Sequence, residues 1–350
     1  MTKKRPLTFH GVLTPLVYRD GGIDLIDQRQ LPSKLVILRI TDYLNLADAI
    51  REMKVRGAPA IGIAAAYGIV LGMREEVKGR DLVDRFAQVS AELRGTRPTA
   101  VNLSWAIARL ERIFQRHKND RPASLTEALL TEARRIHEED VKGNQRIGKH
   151  GSTILPQDAR VLTMCNAGSL ATGGYGTALG VVRAAWKQGK LSMVYACETR
   201  PLFQGSRLTA WELSQEGIPF QLIVDSAAGY LMAKGRIDAI LVGADCITQN
   251  GDVANKIGTY TLAVLGDHHR IPLYVAAPTS TIDASLGTGD EIPIEERDGE
   301  EVRAAFGVQF AAQGTRVWNP AFDVTPARLV SAIITERGVL RPPYHMGTEN

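Results

Sequence analysis

The 350-residue sequence has only three cysteines, Cys165, Cys197 and Cys246, far apart and odd in number. None sits at a paired metal-ligand spacing, so neither structural zinc nor a disulfide framework is expected, and a reducing cytoplasm is the expected compartment. Long apolar runs are also lacking. The longest, Ala58 to Met73, is interrupted by Pro59, Gly62, Gly68 and Gly72, falls short of the ~18 residues a spanning helix needs, and reads as a buried helix. Charge of one sign is lacking too: 42 basic and 38 acidic residues are interspersed and leave a net +4. That balance gives weak support to an anionic small ligand and provides no basic stripe for nucleic acid. No apolar segment follows the one tight basic cluster, Lys3-Lys4-Arg5, so a solvated terminus is expected there rather than a targeting signal. The chain has no G-x-G-x-x-G order and no G-K-[ST], and His268-His269 have no third ligand at useful spacing. The expectation is a protein with no metal, no membrane and no nucleic-acid partner.

What is present changes character along the chain. After a glycine-rich, β-like opening (Leu7 to Asp27), residues 1–150 read as mainly helical. Apolar residues recur at three- and four-residue intervals over Leu44–Met53, Leu82–Leu93, Leu103–Arg116 and Leu125–Ile147, and Ala60–Arg74 is apolar throughout. Asn102 is expected to cap the Leu103 helix, and Ser124 the next, with Glu127 completing a capping box. Over 151–350 the period changes. Short β-branched runs at Val161–Met164, Met193–Cys197, Phe220–Val224, Ala239–Val242 and Leu273–Ala276, with a sixth candidate at Arg316–Asn319, alternate with Gly176–Gln188, Arg207–Glu216, Ala227–Lys234 and Gly258–His269, which have helical length. Near-continuous apolar strands alternating with helices describe an α/β domain with a parallel sheet flanked by helices on both faces. Ser280 to Glu301, rich in Gly, Asp and Glu, reads as an exposed loop or flap.

In open parallel sheets, ligands bind beyond the carboxyl ends of the strands. Those ends read Cys165-Asn166-Ala167-Gly168, Glu198-Thr199-Arg200-Pro201, Asp225-Ser226-Ala227, Asp245-Cys246 and Ala277-Pro278-Thr279-Ser280. Cys165 is followed by Thr172-Gly173-Gly174-Tyr175-Gly176-Thr177, whose amides and helix N-terminus favour a thiolate or an anionic substrate. Cys197 lies inside its strand and reads as core. Alternation turns Cys246 away from Asp245, so it reads as packing. Asp245, at an apolar strand end, is expected to be partly desolvated and available as a general acid. Beyond the tight turn Asn250-Gly251-Asp252, Asn255 is a candidate helix cap and Lys256 a candidate phosphate ligand. Arg56-Gly57-Ala58-Pro59-Ala60 has the makings of a phosphate-binding helix start, Gly57 permitting close backbone approach. Arg97-Pro98-Thr99 and Gln204-Gly205-Ser206-Arg207 are donor-bearing loops near helix starts.

Taken in order, these segments resemble the methylthioribose-1-phosphate isomerases of methionine salvage. The matching stretches are Arg56-Gly57-Ala58-Pro59-Ala60-Ile61-Gly62, Arg97-Pro98-Thr99-Ala100-Val101-Asn102-Leu103, Cys165-Asn166-Ala167-Gly168, Glu198-Thr199-Arg200-Pro201 through Gln204-Gly205, Gly243-Ala244-Asp245, and Asn250-Gly251-Asp252 through Asn255-Lys256-Ile257-Gly258-Thr259-Tyr260. The resemblance implies a homodimer of chains with a helical N-terminal domain and a Rossmann-like C-terminal domain, the site lying between them. It implies that Cys165 and Asp245 are the catalytic pair and that Arg56, Gly57, Ala58, Arg97, Gln204, Asn255 and Lys256 hold a sugar phosphate. One departure is Cys246, at a position commonly arginine in that family.

The implied reaction is a cofactor-independent aldose–ketose isomerisation of 5-methylthioribose 1-phosphate to 5-methylthioribulose 1-phosphate. Isomerases of ribose 1,5-bisphosphate or 5-deoxyribose 1-phosphate are related alternatives. So are the regulatory subunits of the translation-initiation exchange factor, which use the fold as binding modules. Cys165 and Asp245 together with Asn255-Lys256 speak for an enzyme. The Arg97 segment, Asp252 and Tyr260 favour the methylthio substrate.

Overall fold

The computed structural model of the protein describes residues 6–74, 82–97 and 100–346; Lys3-Lys4-Arg5 and Pro98-Thr99 lie outside the described residues. The chain divides into two compact units, Met1–Gln145 with Gly168–Gly176, and Arg146–Ala167 with Thr177–Asn350. The division falls inside the helix Pro122–Ile154.

In the first unit a three-stranded antiparallel sheet (Leu16–Arg19, Gly22–Ile26, Ile37–Ile40) leads into the helices Tyr43–Arg51, Ala58–Arg74, Leu82–Arg94 and Val101–His117. Ala58–Arg74 is apolar on every side, so it is stable only where other elements surround it. Every residue of it from Ala60 to Met73 is buried, in a core with Leu46, Leu93, Leu110 and Phe114. Two expected caps are overturned. The Val101 helix begins with Ala100 at its cap position, and Asn102 is buried inside the first turn. Ser124 also lies within its helix, because Pro122, whose missing N–H costs nothing at a first helical position, starts the helix two residues earlier.

The second unit is built on a seven-stranded sheet whose spatial order is Gly338–Leu340, Ala332–Thr335, Leu273–Ala276, Ala239–Val242, Ala159–Thr163, Leu191–Cys197, Phe220–Ile223. All neighbours are parallel except the hairpin partner Gly338–Leu340. Alternation decides the two faces. Leu162, Ile240, Val275 and Ile333 enter one core with Met232 and Leu262, whereas Val161, Leu241, Tyr274 and Ile334 enter another with Val181, Val182 and Leu213. This is an α/β fold with a mostly parallel central sheet buried on both faces.

The expected strand at Arg316–Asn319 is not a strand; its Trp318 is 79% exposed. The sheet position belongs instead to Ala332–Thr335, all four residues buried, because an interior parallel strand needs apolar side chains on both faces. A second sheet joins Ile282–Asp283, Cys246–Thr248, Val253–Lys256 and Phe322–Thr325. Asn255 and Lys256 therefore end a strand and do not open a helix. The following helix, Thr259–His269, takes Gly258 at its cap position with φ 102°.

Candidate active site

Numbered along the chain, the sheet of the second unit runs 3-2-1-4-5-6 before its antiparallel edge, so strand order reverses between Ala159–Thr163 and Ala239–Val242. A crevice opens at such a reversal, because the connections from the two central strands leave in opposite directions. Cys165 lies two residues beyond the first of these strands and Asp245 three beyond the second. The strands pair in parallel, Val161 with Ala239 and Leu162 with Ile240, so both residues leave the same edge of adjacent strands. The following segments are packed together: a Cβ on Gly243 would stand 2.8 Å from the Ala167 Cβ.

Cys165 and Asp245 are both half-buried. The other two thiols are buried, and burial pushes both up, Cys246 to about 12. Cys165 adopts φ 62°. Its N–H donates to Thr199 Oγ1 at 2.9 Å, and its carbonyl accepts from Thr209 Oγ1 at 2.6 Å. Asp245 is held by its N–H, which donates to Ala254 O at 2.9 Å. In this antiparallel ladder Cys246 faces Ala254, and continuing the register sets Asp245 opposite Asn255.

Lys256 follows on the same strand. Its side chain is 7% exposed, Nζ donates to Ala321 O at 3.0 Å, and the Phe322 ring centroid is 4.8 Å away. Asn255 Nδ2 donates to Thr259 Oγ1 at 2.9 Å. Behind them Asp323 accepts from the N–H groups of Gly258 (2.6 Å) and Tyr260 (3.1 Å), supplying the cap that Asn255 does not. Burial raises the Asp323 carboxyl to about 6 despite those bonds and the nearby Lys256 charge. The same segment reaches the first strand, since a Cβ on Gly258 would lie 2.8 Å from Met164 Cε.

Gln204 precedes a π-helical turn, Gly205–Thr209, of a kind frequent at functional sites. Only glycine fits at 205, where a Cβ would stand 1.7 Å from Cys197 O. Gln204 is 5% exposed and its Oε1 has no hydrogen-bond partner among the described residues. A buried carbonyl oxygen left unpaired costs roughly 1–3 kcal/mol, which a ligand donor would recover. Cys165, Gln204, Asp245, Asn255 and Lys256 thus come from segments that adjoin the carboxyl edge of this sheet.

The remaining candidates belong to the first unit. Gly57 has φ 94°, and a Cβ there would meet Ala171 O at 2.5 Å, so both conformation and space demand glycine. Ala58 opens the Ala58–Arg74 helix beside it. Arg56 is buried with Nε donating to Gln28 Oε1 at 3.2 Å, while Gln28 Nε2 donates to Leu170 O at 2.8 Å. Arg97 is half-buried in the loop before the Val101 helix. Among the described residues no group of three or more His, Cys, Asp or Glu could hold a metal ion, and no helix is long and apolar enough to cross a membrane.

Thr209, Glu212 and Asp323 carry no signal in the sequence. Nothing local distinguishes them: each becomes informative only once a distant backbone group is known to lie against it.

The segments that carry Cys165 and Asp245 thus end adjacent strands, and Asn255 and Lys256 lie on the strand paired next to Asp245. Residues 54–342 match the model of the Initiation factor 2 subunit family. The methylthioribose-1-phosphate isomerase of Pelotomaculum thermopropionicum is 56% identical over 328 residues, covering 93% of this chain and 90% of that protein. The crystal structure of 5-methylthioribose 1-phosphate isomerase from Pyrococcus horikoshii OT3 superposes with a TM-score of 0.88 at 44% identity, covering 95% of this chain and 93% of that one. A structure described as translation initiation factor eIF-2B, subunit delta, from A. fulgidus superposes with a TM-score of 0.83 at 47% identity, covering 95% and 97%.

Proposed function

This chain belongs to the Initiation factor 2 subunit family and, within it, to the methylthioribose-1-phosphate isomerases, and from that premise we propose that it converts 5-methylthioribose 1-phosphate to 5-methylthioribulose 1-phosphate, a step of methionine salvage. The observation that carries the reading is the emergence of Cys165 and Asp245 from adjacent parallel strands at the reversal of strand order, beside Asn255 and Lys256.

Phosphate on the anomeric oxygen prevents the sugar from opening to a free aldehyde, so the ring oxygen must be protonated as its bond to C1 breaks. Asp245 is the proposed acid. The Cys165 thiolate then takes the C2 proton, leaving an enediol-like phosphate. The resulting thiol returns the proton to C1, and the C2 hydroxyl proton restores Asp245. Both groups end as they began. General acid and base steps of this kind contribute about 10²–10⁴-fold each. Lys256, Asn255 and Gln204 are proposed to hold phosphate and hydroxyls, as are Arg56, Gly57, Ala58 and Arg97. Support for the last group lies in the buried guanidinium and the glycine at a helix start. A homodimer is part of the proposal, supported by apolar side chains exposed on the single chain, among them Phe306, Val308, Phe310 and Trp318.

The relative described as a translation-initiation subunit gives a second reading, a binding module. Phosphorus NMR of the purified protein separates the two. With 5-methylthioribose 1-phosphate, the anomeric phosphate signal is expected to give way to that of a primary ester. Ribose 1,5-bisphosphate under the same conditions tests substrate choice. An unchanged spectrum with each sugar phosphate would refute the isomerase and leave the binding module.

A further inference from the structure

We propose that Thr199 and Thr209 are positioning residues for the reaction, clamping the main chain of Cys165 and so fixing the direction of its thiol. This rests on the reading of Cys165 as the proton-transferring group and deepens it.

Cys165 stands at φ 62°, and Thr199 at φ 67°. Such left-handed conformations cost a non-glycine residue about 1–2 kcal/mol and persist only where surrounding structure enforces them. The enforcement comes from two hydroxyls, one on each side of Cys165. A threonine hydroxyl has one proton to give, and both protons have fixed destinations. Thr199 Oγ1 donates to Cys197 O at 3.0 Å, so it meets the Cys165 N–H as an acceptor. Thr209 Oγ1 accepts from Asn166 Nδ2 at 3.3 Å and donates to Cys165 O. Both threonines are fully buried.

The clamp is itself held by further hydrogen bonds, half-buried on the Thr199 side and buried on the Thr209 side. Asp225 takes the N–H groups of Thr199 and Arg200 at 2.8 and 2.7 Å. Asn166 also donates to Glu212 Oε1 at 2.9 Å, and the fully buried Glu212 binds Arg183 at 2.7 Å. Because each hydroxyl proton is committed to main chain, the threonines act through Cys165 and not on substrate. A misplacement of about 1 Å in a reacting group can cost about 10²-fold.

The test compares Thr199→Val and Thr209→Val with the serine variants, which keep the hydroxyl. Steady-state kinetics are measured with the pH profile of iodoacetamide alkylation at Cys165, located by mass spectrometry. The valine variants are expected to lose about 10–100-fold in kcat, to keep KM nearly unchanged, and to shift that alkylation profile. The serine variants should recover most of the loss. Wild-type kcat and alkylation in the valine variants, or serine variants equally impaired, would overturn the clamp. In the unsubstituted protein, slow hydrogen exchange at the Cys165 amide is expected, and exchange as fast as an open loop would also overturn it, whether or not the variants fold. A Cys165→Ser control keeps the two ideas apart. If that variant turns over normally, the role of Cys165 fails; if it is inactive beside unimpaired valine variants, only the clamp fails.

Discussion

Burial pushes the Cys197 and Cys246 thiols up, so neither carries charge near neutral pH, while Cys165 stands half-exposed at the end of a central strand. Position in the sheet thus separates two buried thiols from one that solvent reaches. Cys165→Ser and Asp245→Asn are each expected to cut turnover by at least about 10²-fold, the lower bound for losing a general acid or base, with circular dichroism unchanged. Near-normal turnover in both would remove them from the mechanism. Lys256→Ala should act mainly on KM, because an ammonium holding phosphate contributes to ground state and transition state alike. A fall in kcat with KM unchanged would argue for a role in chemistry instead.

At the level of elements, the π-helical turn Gly205–Thr209 does two jobs. It brings Gly205 against the Cys197 carbonyl, and it turns Thr209 toward Cys165 O. Gly205→Ala inserts a methyl 1.7 Å from that carbonyl oxygen, a backbone clash that no side-chain rotation relieves. The expected outcome is a loss of several kcal/mol, seen as a large fall in Tm or as insoluble protein; an unchanged Tm would contradict the packing. Strand existence in this unit was legible from β-branched runs, and Ala239–Val242 and Leu273–Ala276 match the reading residue for residue. Ala332–Thr335 is a strand, whereas Arg316–Asn319, where one is expected, is not. A four-residue apolar run carries little periodicity, so burial on both faces had to decide. Caps were less legible still. The cap for the Thr259 helix comes from Asp323, far along the chain, where capping patterns do not look.

Across the whole molecule, the buried His137 and the half-buried Asp323 give stability a pH dependence of opposite sign. His137 is fully buried, donates from Nε2 to Gly173 O at 2.8 Å, and has its pKa lowered from 6.5 to about 4 by burial. Between those values the unfolded chain holds the proton and the folded one does not, so stability falls as pH drops from 6.5 toward 4, by on the order of 3 kcal/mol. Asp323, raised from 3.8 to about 6, works the other way: its contribution is present at low pH and is lost as pH rises through about 6. His137→Gln should flatten the fall in Tm between pH 6.5 and 4.5 relative to the parent protein. An equally steep fall in the variant would assign the acid sensitivity to other groups.

The sequence by itself determined the helical character of the first part, the parallel sheet of the second, and the family. Hydrophobic period and local motif are properties of neighbouring residues, so they survive in one dimension. Tertiary structure alone decided that the first and fourth strands of the sheet are neighbours, that Asn255 and Lys256 end a strand beside Asp245, and that Thr199, Thr209 and Asp323 hold the segments around them. Those facts depend on hydrogen bonds and close contacts between residues tens of positions apart, which exist only once the chain has closed on itself.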